Sequence, residues 1–254
     1  MKESKIIVAL DVPSFAQALG LIEKLRDHVY AFKVGLELIS AEGGPNLIRA
    51  LNELGVKIFY DAKLMDIPNT VAGAVRAIIK CGKVDMLNVH CLGGRKMMEA
   101  AVAAASETAK QREIEKPLLL GVTVLTSLKY PDFREMGIEA LDDDPQAGQE
   151  MIEGLVIRLA RLAQSSGMDG VITSALEAKP IRKECGDDFL IVTPGIRPDW
   201  AVAGDQKRTT TPIEAIQAGA DLVVIGRPIT NPPEEIGSPV EAAKLINQEI
   251  ELVI

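Results

Sequence analysis

Residues 56–81 read VKIFYDAKLMDIPNTVAGAVRAIIKC and contain one complete strand–helix unit. The run Val56–Tyr60 is rich in β-branched and aromatic residues, which favours a strand. The segment Val71–Ile79 has the apolar spacing of an amphipathic helix. Strand candidates of this kind are continuously rather than alternately apolar, which is typical of parallel strands buried on both faces. The unit therefore predicts a parallel α/β fold if it recurs along the chain.

The unit does recur over the whole chain of 254 residues. The other predicted strands are Ile6–Leu10, Ala31–Val34, Met86–Val89, Leu118–Val122, Gly170–Ile172, Leu190–Val192 and Leu222–Ile225. The other predicted helices are Ser14–Arg26, Pro45–Leu54, Arg95–Arg112, Gly148–Ala163 and Thr211–Ala218, with Ser14 and Thr211 as N-caps. Short connections between such elements force parallel pairing through right-handed crossovers. Eight units in one chain of this length predict an α/β fold, a (β/α)8 TIM barrel, as a single domain over residues 1–254. A doubly wound sheet is disfavoured because Leu10-Asp11-Val12-Pro13 follows the first strand where a dinucleotide fold needs G-x-G-x-x-G.

The composition excludes several classes of protein. Lys plus Arg number 28 and Asp plus Glu number 36, so the net charge is −8. Nucleic acids and anionic membranes select for basic surfaces, so neither is an expected partner, but a compact anion is not excluded. The longest N-terminal apolar run, IIVAL, is too short for a signal sequence or a membrane span, and we expect a cytoplasmic protein. Three scattered cysteines and two histidines predict neither a disulfide framework nor a histidine-rich metal site.

Charged residues lie in or directly after three consecutive predicted strands, at the end of a barrel where active sites form. Asp61 and Lys63 are two residues apart on one strand, so both side chains point to the same face, which in a barrel is the interior. A lysine there needs a partner to remain protonated. Asp61, together with Asp11 and Lys33 on neighbouring strands, predicts a network of alternating charge. The alternative is a salt-bridge layer that only closes the barrel, which is disfavoured because barrel interiors are usually apolar.

A second set of residues predicts an anion site at the ends of the last two strands. Gly226 allows close approach of a ligand to the backbone, and Arg227 and Arg197 can each donate charge-assisted hydrogen bonds. Phosphate binds in this part of many barrels. The long segment Thr193–Thr211 is a candidate lid, in which Gln206, Lys207 and Arg208 could close over the anion. Surface ion pairs and a surface loop are the alternatives for these features.

His90, which closes the fourth strand, is predicted to be a hydrogen-bonded core residue.

The chain resembles the orotidine 5′-phosphate decarboxylases of the bacterial type. The resemblance extends over nearly the whole chain and keeps the order of the family's motifs. The matching segments are VALDVP at 8–13, FKVG at 32–35, DAKLMDIPNT at 61–70, NVH at 88–90, VTVLTS at 122–127, TPGIRP at 193–198, GDQKR at 204–208 and VIGRP at 224–228.

The resemblance implies decarboxylation of orotidine 5′-monophosphate to UMP and CO2, the last step of de novo pyrimidine synthesis, by a homodimer without cofactor or metal. It implies that Lys63 protonates C6 and that Lys33, Asp61, Lys63 and Asp66 form a charged tetrad. Asp66 and Thr70 would reach into the partner's site. The resemblance further implies that Asp11 contacts the ribose hydroxyls and that Thr126 contacts the pyrimidine. Arg197 and Gln206 would hold the lid and the phosphate, and Gly226 and Arg227 would bind the phosphate. The other implied substrate-binding residues lie within the motif and are Ala62, Leu64, Met65, Ile67, Pro68 and Asn69.

The chemistry of the residues agrees with this expectation. Decarboxylation without a cofactor leaves an electron pair on carbon, so the site needs a cation and an acid beside that carbon, and Lys63 can be both. One alternative is a magnesium-dependent sugar-phosphate decarboxylase or aldolase of the same barrel superfamily. Those enzymes need an acidic metal ligand at the end of strand two, where this chain has Lys33, a cation that would repel a metal. The other alternative is a non-catalytic nucleotide-binding barrel.

Overall fold

Parallel strands form the centre of the molecule. The computed structural model describes residues 4–138, 144–201 and 210–253. Within these residues eight strands pair in chain order, and β1 pairs with β8, so that the sheet closes into a barrel. The strands are β1 Ile6–Ala9, β2 Ala31–Val34, β3 Ile58–Leu64, β4 Met86–His90, β5 Leu118–Val122, β6 Gly170–Ile172, β7 Leu190–Thr193 and β8 Leu222–Ile225. The predicted TIM barrel is therefore confirmed.

Helices pack around the outside of the barrel. They are α1 Phe15–Leu25, α2 Leu36–Glu42, α3 Gly44–Leu54, α4 Pro68–Cys81, α5 Arg95–Gln111, α6 Tyr130–Glu135, α7 Pro145–Ser165, α8 Ala175–Cys185, α9 Pro212–Gln217, α10 Arg227–Thr230 and α11 Pro239–Glu251. The predicted cap of α9 is present as a capping box. The Thr211 hydroxyl accepts the Glu214 N–H, and the Glu214 carboxylate accepts the Thr211 N–H. In the described part of the chain, none of the helices is long and apolar enough to cross a membrane.

Side chains along each strand alternate between two cores. One apolar cluster fills the barrel and comprises Ile7, Ala9, Ala31, Phe59, Met86, Leu120, Val122, Ile172, Val192, Leu222 and Val224. Residues of opposite parity, such as Val8, Phe32 and Leu87, belong to a larger cluster between strands and helices. The inward positions that follow Ala31, Phe59 and Met86 are Lys33, Asp61 and Asn88, and these are buried polar residues. The parity of three neighbouring strands thus delivers three polar side chains to one end of the barrel.

Strand β3 departs from the sequence prediction because it continues to Leu64 instead of ending at Tyr60. Its pairing with β4 shifts register between Tyr60 and Leu64. Lys63, inside this irregular part, has a φ of 49°, which lies in the left-handed region that residues other than glycine rarely adopt. The strand therefore carries Asp61 and Lys63 on distorted backbone, where a bulge can redirect a side chain.

Candidate active site

A pocket of about 330 Å³ opens at the carboxyl ends of the strands. Among the predicted site residues, those that line it are Asp11, Lys33, Asp61, Lys63, Thr126, Arg197, Gly226 and Arg227. They come from loops and strand ends all round the barrel, so the fold gathers residues that are distant in sequence. The acidic and lysine side chains lie on the β1–β3 side, and the two arginines lie on the β7–β8 side.

The charged network predicted from strand ends is present in its central part. Lys33 Nζ lies 3.0 Å from Asp11 Oδ1 and 3.1 Å from Asp61 Oδ2. Lys63 Nζ lies 2.7 Å from Asp61 Oδ1. Gly35 leaves room for this arrangement, because a Cβ there would lie only 2.9 Å from Lys33 Nζ. Asp61 therefore accepts from both lysines, and charge alternates along the row.

Burial and charge act in opposite directions on this network. Burial alone would lower the pKa of Lys33, but the carboxylates of Asp61 and Asp11 raise it above the ordinary lysine value. Burial alone would raise the pKa of Asp61, but Lys33, Lys63 and the Asn88 amide lower it below the ordinary value. Asp61 thus remains ionised and Lys33 remains protonated at neutral pH. The site holds a fixed negative charge between fixed positive charges.

The structure adds Asn88, whose part in the site the sequence did not predict. The residue lies on β4 and is fully buried. Its Nδ2 donates to Asp61 Oδ1 at 2.6 Å, and its Oδ1 accepts the backbone N–H of Lys63 at 2.7 Å. Strand parity was the available signal, because Asn88 lies two residues beyond the inward-facing Met86.

His90, at the end of the same strand, also differs from its prediction. It is half-buried, and its Nδ1 has no hydrogen-bond partner in the part of the chain that the structure describes. Burial and the charge of Lys63 lower its pKa, while Asp61 opposes them. A neutral imidazole avoids placing another positive charge beside Lys63.

The ends of β7 and β8 carry the predicted anion-binding residues. Arg197 follows β7, Gly226 follows β8 and Arg227 begins α10, and all three line the pocket. The Arg197 N–H donates to the Thr210 carbonyl at 2.9 Å, so the two ends of the predicted lid segment are hydrogen-bonded to each other beside the pocket. Gln206, Lys207 and Arg208, which the prediction also assigned to the lid, lie outside the described residues.

Much of the motif at residues 61–70 does not line the pocket of this chain. Ala62 and Leu64 instead pack against the core outside the barrel. Asp66 is exposed, and its Oδ1 accepts the N–H of Ile67. The remaining residues of this group are Met65, Ile67, Pro68, Asn69 and Thr70, which occupy the start of α4 and the turn before it. The chain therefore brings together Lys33, Asp61 and Lys63 but not Asp66.

Apolar residues that the sequence did not single out form the floor and walls of the pocket. Ala9, Phe59, Val122, Ile172 and Val224 are members of the barrel core whose upper ends reach the pocket. The other unpredicted lining residues are Val124, Leu125, Thr173, Pro194, Gly195, Ile196, Pro228 and Thr230. The apolar side chains among them lower the dielectric beside the charged row and so strengthen its interactions.

The positions of His, Cys, Asp and Glu side chains bear on metal binding. Nowhere in residues 4–138, 144–201 and 210–253 do three or more His, Cys, Asp or Glu side chains group as a metal site would require. Asp11 and Asp61, the acidic pair of the pocket, have Lys33 between them.

Comparisons with known proteins extend over the whole chain. The family model for orotidine 5′-phosphate decarboxylase / HUMPS matches residues 4–246. An orotidine 5′-phosphate decarboxylase of Moorella thermoacetica is 47% identical over 252 residues, which cover 99% of this chain and 94% of the relative. That of Nostoc sp. is 45% identical over 254 residues, with 100% of both chains covered.

Solved structures show the same relationship. The crystal structure of orotidine 5′-phosphate decarboxylase from Lactobacillus acidophilus superposes with a TM-score of 0.79 at 36% identity, covering 98% of this chain and 99% of that chain. The structure of an uncharacterized conserved protein from Geobacillus kaustophilus has a TM-score of 0.76 at 34% identity, covering 96% and 99%. Barrel, pocket, motif order and full-length similarity agree, and this chain belongs to the orotidine 5′-phosphate decarboxylase / HUMPS family.

Proposed function

We propose that this protein decarboxylates orotidine 5′-monophosphate to UMP and CO2, the last step of de novo pyrimidine synthesis, without a metal or cofactor. The observation that carries the proposal is the row Asp11–Lys33–Asp61–Lys63 in a pocket that Arg197 and Arg227 also line. Such a pocket offers a cation and a fixed anion to one end of a ligand, and hydrogen-bond donors for a phosphate to the other end. The family to which the chain belongs supports the choice of substrate.

The proposed binding mode follows this division of charge. Arg197, Gly226 and Arg227 bind the 5′-phosphate, and Gln206 helps to close the lid over it. Asp11 accepts hydrogen bonds from the ribose hydroxyls, because it lies at the exposed end of the charged row. Thr126 contacts the pyrimidine. This orientation directs the C6 carboxylate toward Lys63 and Asp61.

Lys63 is the proposed acid. When the bond from C6 to the carboxylate breaks, CO2 leaves and the electron pair remains on C6. The Lys63 ammonium stabilises this developing charge and then transfers a proton to C6, giving UMP. Its amine regains a proton from solvent, which its partly exposed side chain permits.

Asp61 is proposed to act on the ground state. Its carboxylate is held ionised by two lysines and lies in the pocket where the substrate carboxylate would approach. Two unit charges about 4 Å apart at an effective dielectric of 20 repel by roughly 4 kcal/mol. Complete relief of that repulsion as CO2 leaves would accelerate the step about a thousandfold. Binding of the remote phosphate supplies free energy that holds the substrate in this position.

The same proposal includes a homodimer in which Asp66 and Thr70 of each subunit reach the partner's site. Large apolar side chains are exposed after three neighbouring strands: Leu36 after β2, Met65 and Ile67 after β3, and Leu92 after β4. Large exposed apolar side chains at the same end of a barrel favour an interface there. Asp66 lies between Met65 and Ile67, so a subunit that covers this surface would meet its carboxylate.

The experiment that tests the function mixes the purified protein with orotidine 5′-monophosphate and follows the loss of orotate-ring absorbance. We expect equal rates with and without EDTA, and near-complete loss of turnover in Lys63→Ala with the fold retained. Turnover that EDTA abolishes and Mg²⁺ restores would show metal-dependent chemistry. No turnover under either condition would refute the function, and a near wild-type kcat in Lys63→Ala would remove Lys63 as the acid.

A further inference from the structure

Asn88 makes two hydrogen bonds that meet at the Lys63–Asp61 pair. It is fully buried on β4 and does not line the pocket, so it has no route to the substrate. Its Oδ1 accepts from the Lys63 backbone N–H, and its Nδ2 donates to Asp61 Oδ1. The side chain of Lys63 donates to the same oxygen of Asp61. The three residues therefore form a closed ring of hydrogen bonds.

Each of the two Asn88 hydrogen bonds fixes a group whose position the pairing of β3 does not determine: the Lys63 backbone and the Asp61 carboxylate. The bond to the Lys63 N–H lies where pairing of β3 with β4 shifts register and where φ of Lys63 is 49°. A non-glycine residue in this region costs about 1 kcal/mol or more, so the surrounding contacts must hold it there. The bond to Asp61 orients a carboxylate whose two oxygens accept from Lys63 and Lys33 respectively.

We propose that Asn88 is a positioning residue that sets the relative geometry of the Lys63 ammonium and the Asp61 carboxylate, a role that rests on the proposed decarboxylation. An amide suits this position because one donor and one acceptor are needed on the same short side chain. Leucine, of similar size, supplies neither. Aspartate supplies both only while it is protonated.

That difference makes Asn88→Asp the informative variant. The protonated carboxyl accepts from the Lys63 N–H and donates to Asp61, as the amide does. Once ionised, it faces the Asp61 carboxylate, and two carboxylates that share one proton repel each other when it is lost. The neighbouring titratable groups are Asp61 and Lys63 on β3, Lys33 on β2 and His90 on β4, while β5, which pairs Leu120 with Asn88, carries none. The same residues are present in both proteins, so the ratio of the variant's kcat to wild-type kcat at each pH reports the coupled titration of the new carboxyl with Asp61.

We expect this ratio to be reduced roughly ten- to a hundredfold at neutral pH and to recover as the pH falls. Asn88→Leu should be reduced at every pH, without recovery. Binding of UMP, measured by calorimetry, should be unchanged in both variants, because the phosphate and ribose contacts lie elsewhere in the pocket.

Asn52→Asp is the matched control. Asn52 has the same bonding pattern, since its Oδ1 accepts the Lys83 N–H at 2.6 Å and its Nδ2 donates to the Lys83 carbonyl at 2.8 Å, but it lies away from the pocket. Its kcat ratio to wild type should stay constant with pH.

Three outcomes would overturn the proposal. They are a pH-independent ratio for Asn88→Asp, a loss of UMP binding in step with kcat, and failure of both Asn88 variants to fold, which would assign the residue to the stability of the barrel. Wild-type protein that does not turn over the substrate at all would refute the proposed function instead, so the two failures are distinguishable.

Discussion

Arg227 begins α10 directly after β8 and lines the pocket beside Arg197. If it binds the phosphate, its contact is equally strong before and during bond cleavage, because the phosphate is remote from C6. We predict that Arg227→Ala raises KM and lowers kcat/KM by roughly ten- to a hundredfold, the value of a lost charge-assisted hydrogen bond. Steady-state kinetics measure this. The kcat/KM of Arg227→Lys, which keeps the charge but not the planar guanidinium, should lie between those of the wild type and Arg227→Ala. An unchanged kcat/KM in Arg227→Ala would locate the phosphate elsewhere.

His90 connects the site to the pH dependence of stability. Its pKa is lowered in the folded protein by burial and by Lys63, so the unfolded chain takes up a proton first as the pH falls. Folding stability should therefore decrease as the pH drops below about 6.5, through the lowered pKa of His90. We predict that the His90 imidazole titrates below this value in NMR spectra. We also predict that between about pH 7 and pH 5 the free energy of unfolding of His90→Gln decreases less than that of the wild-type protein.

The chain has only two histidines, so His28→Gln assigns the second resonance and serves as the control. A titration of His90 at or above the ordinary histidine value would contradict the prediction.

The strand ends, and the face of the sheet to which each strand residue points, were predictable from sequence, but the irregular part of β3 was not. Continuous apolar runs located the strands, and the spacing of Asp61 and Lys63 placed both on one face. The irregular backbone at Lys63 donates its N–H to Asn88, which lies on the next strand, and no local pattern in residues 61–70 encodes that contact. The path of Asp66 away from the pocket likewise depends on how α4 begins.

The opposite end of the barrel contains a repeated device that joins neighbouring strands. Asp85, Asp169 and Asp221 immediately precede β4, β6 and β8, and each carboxylate accepts a backbone N–H of the preceding strand. Each also pairs with a cation, namely Lys83, Lys116 and Arg182. These acidic residues therefore stabilise the barrel at the end away from the pocket.

Asp221 is the best place to test this device, because its Oδ2 accepts from Ile191 N–H at 2.8 Å and from Arg182 Nη2 at 2.6 Å. Asp221→Ala leaves both donors without this acceptor, and we predict a loss of about 1–3 kcal/mol in the free energy of unfolding by urea. The kcat should not change. Asp188→Ala, an exposed carboxylate near the same end, is the control and should have little effect. A lowered kcat with unchanged stability in Asp221→Ala would contradict this assignment.

The net charge of −8 is compatible with the proposed anionic substrate, because the cations that would bind it are concentrated at one end of the barrel. Lys33, Lys63, Arg197 and Arg227 all line one pocket at one end of the barrel. The acidic excess lies elsewhere and opposes extended polyanions, whereas a single nucleotide meets only the local cations. Asp11 and Asp61 are interleaved with the lysines, so local acidity is part of the proposed chemistry.

The exposed apolar surface around Met65 and Ile67 gives the last prediction, which concerns the assembly. If Asp66 completes the partner's site, Asp66→Ala and Lys63→Ala should each lose most activity, yet a mixture unfolded and refolded together should regain it. In a mixed dimer one site combines an intact Lys63 with the partner's intact Asp66. Random pairing of equal amounts then restores about a quarter of all sites. The two variants refolded separately and mixed just before assay are the control. Activity that stays at the control level after co-refolding, with dimers present by sedimentation, would show that each subunit's site is complete within its own chain.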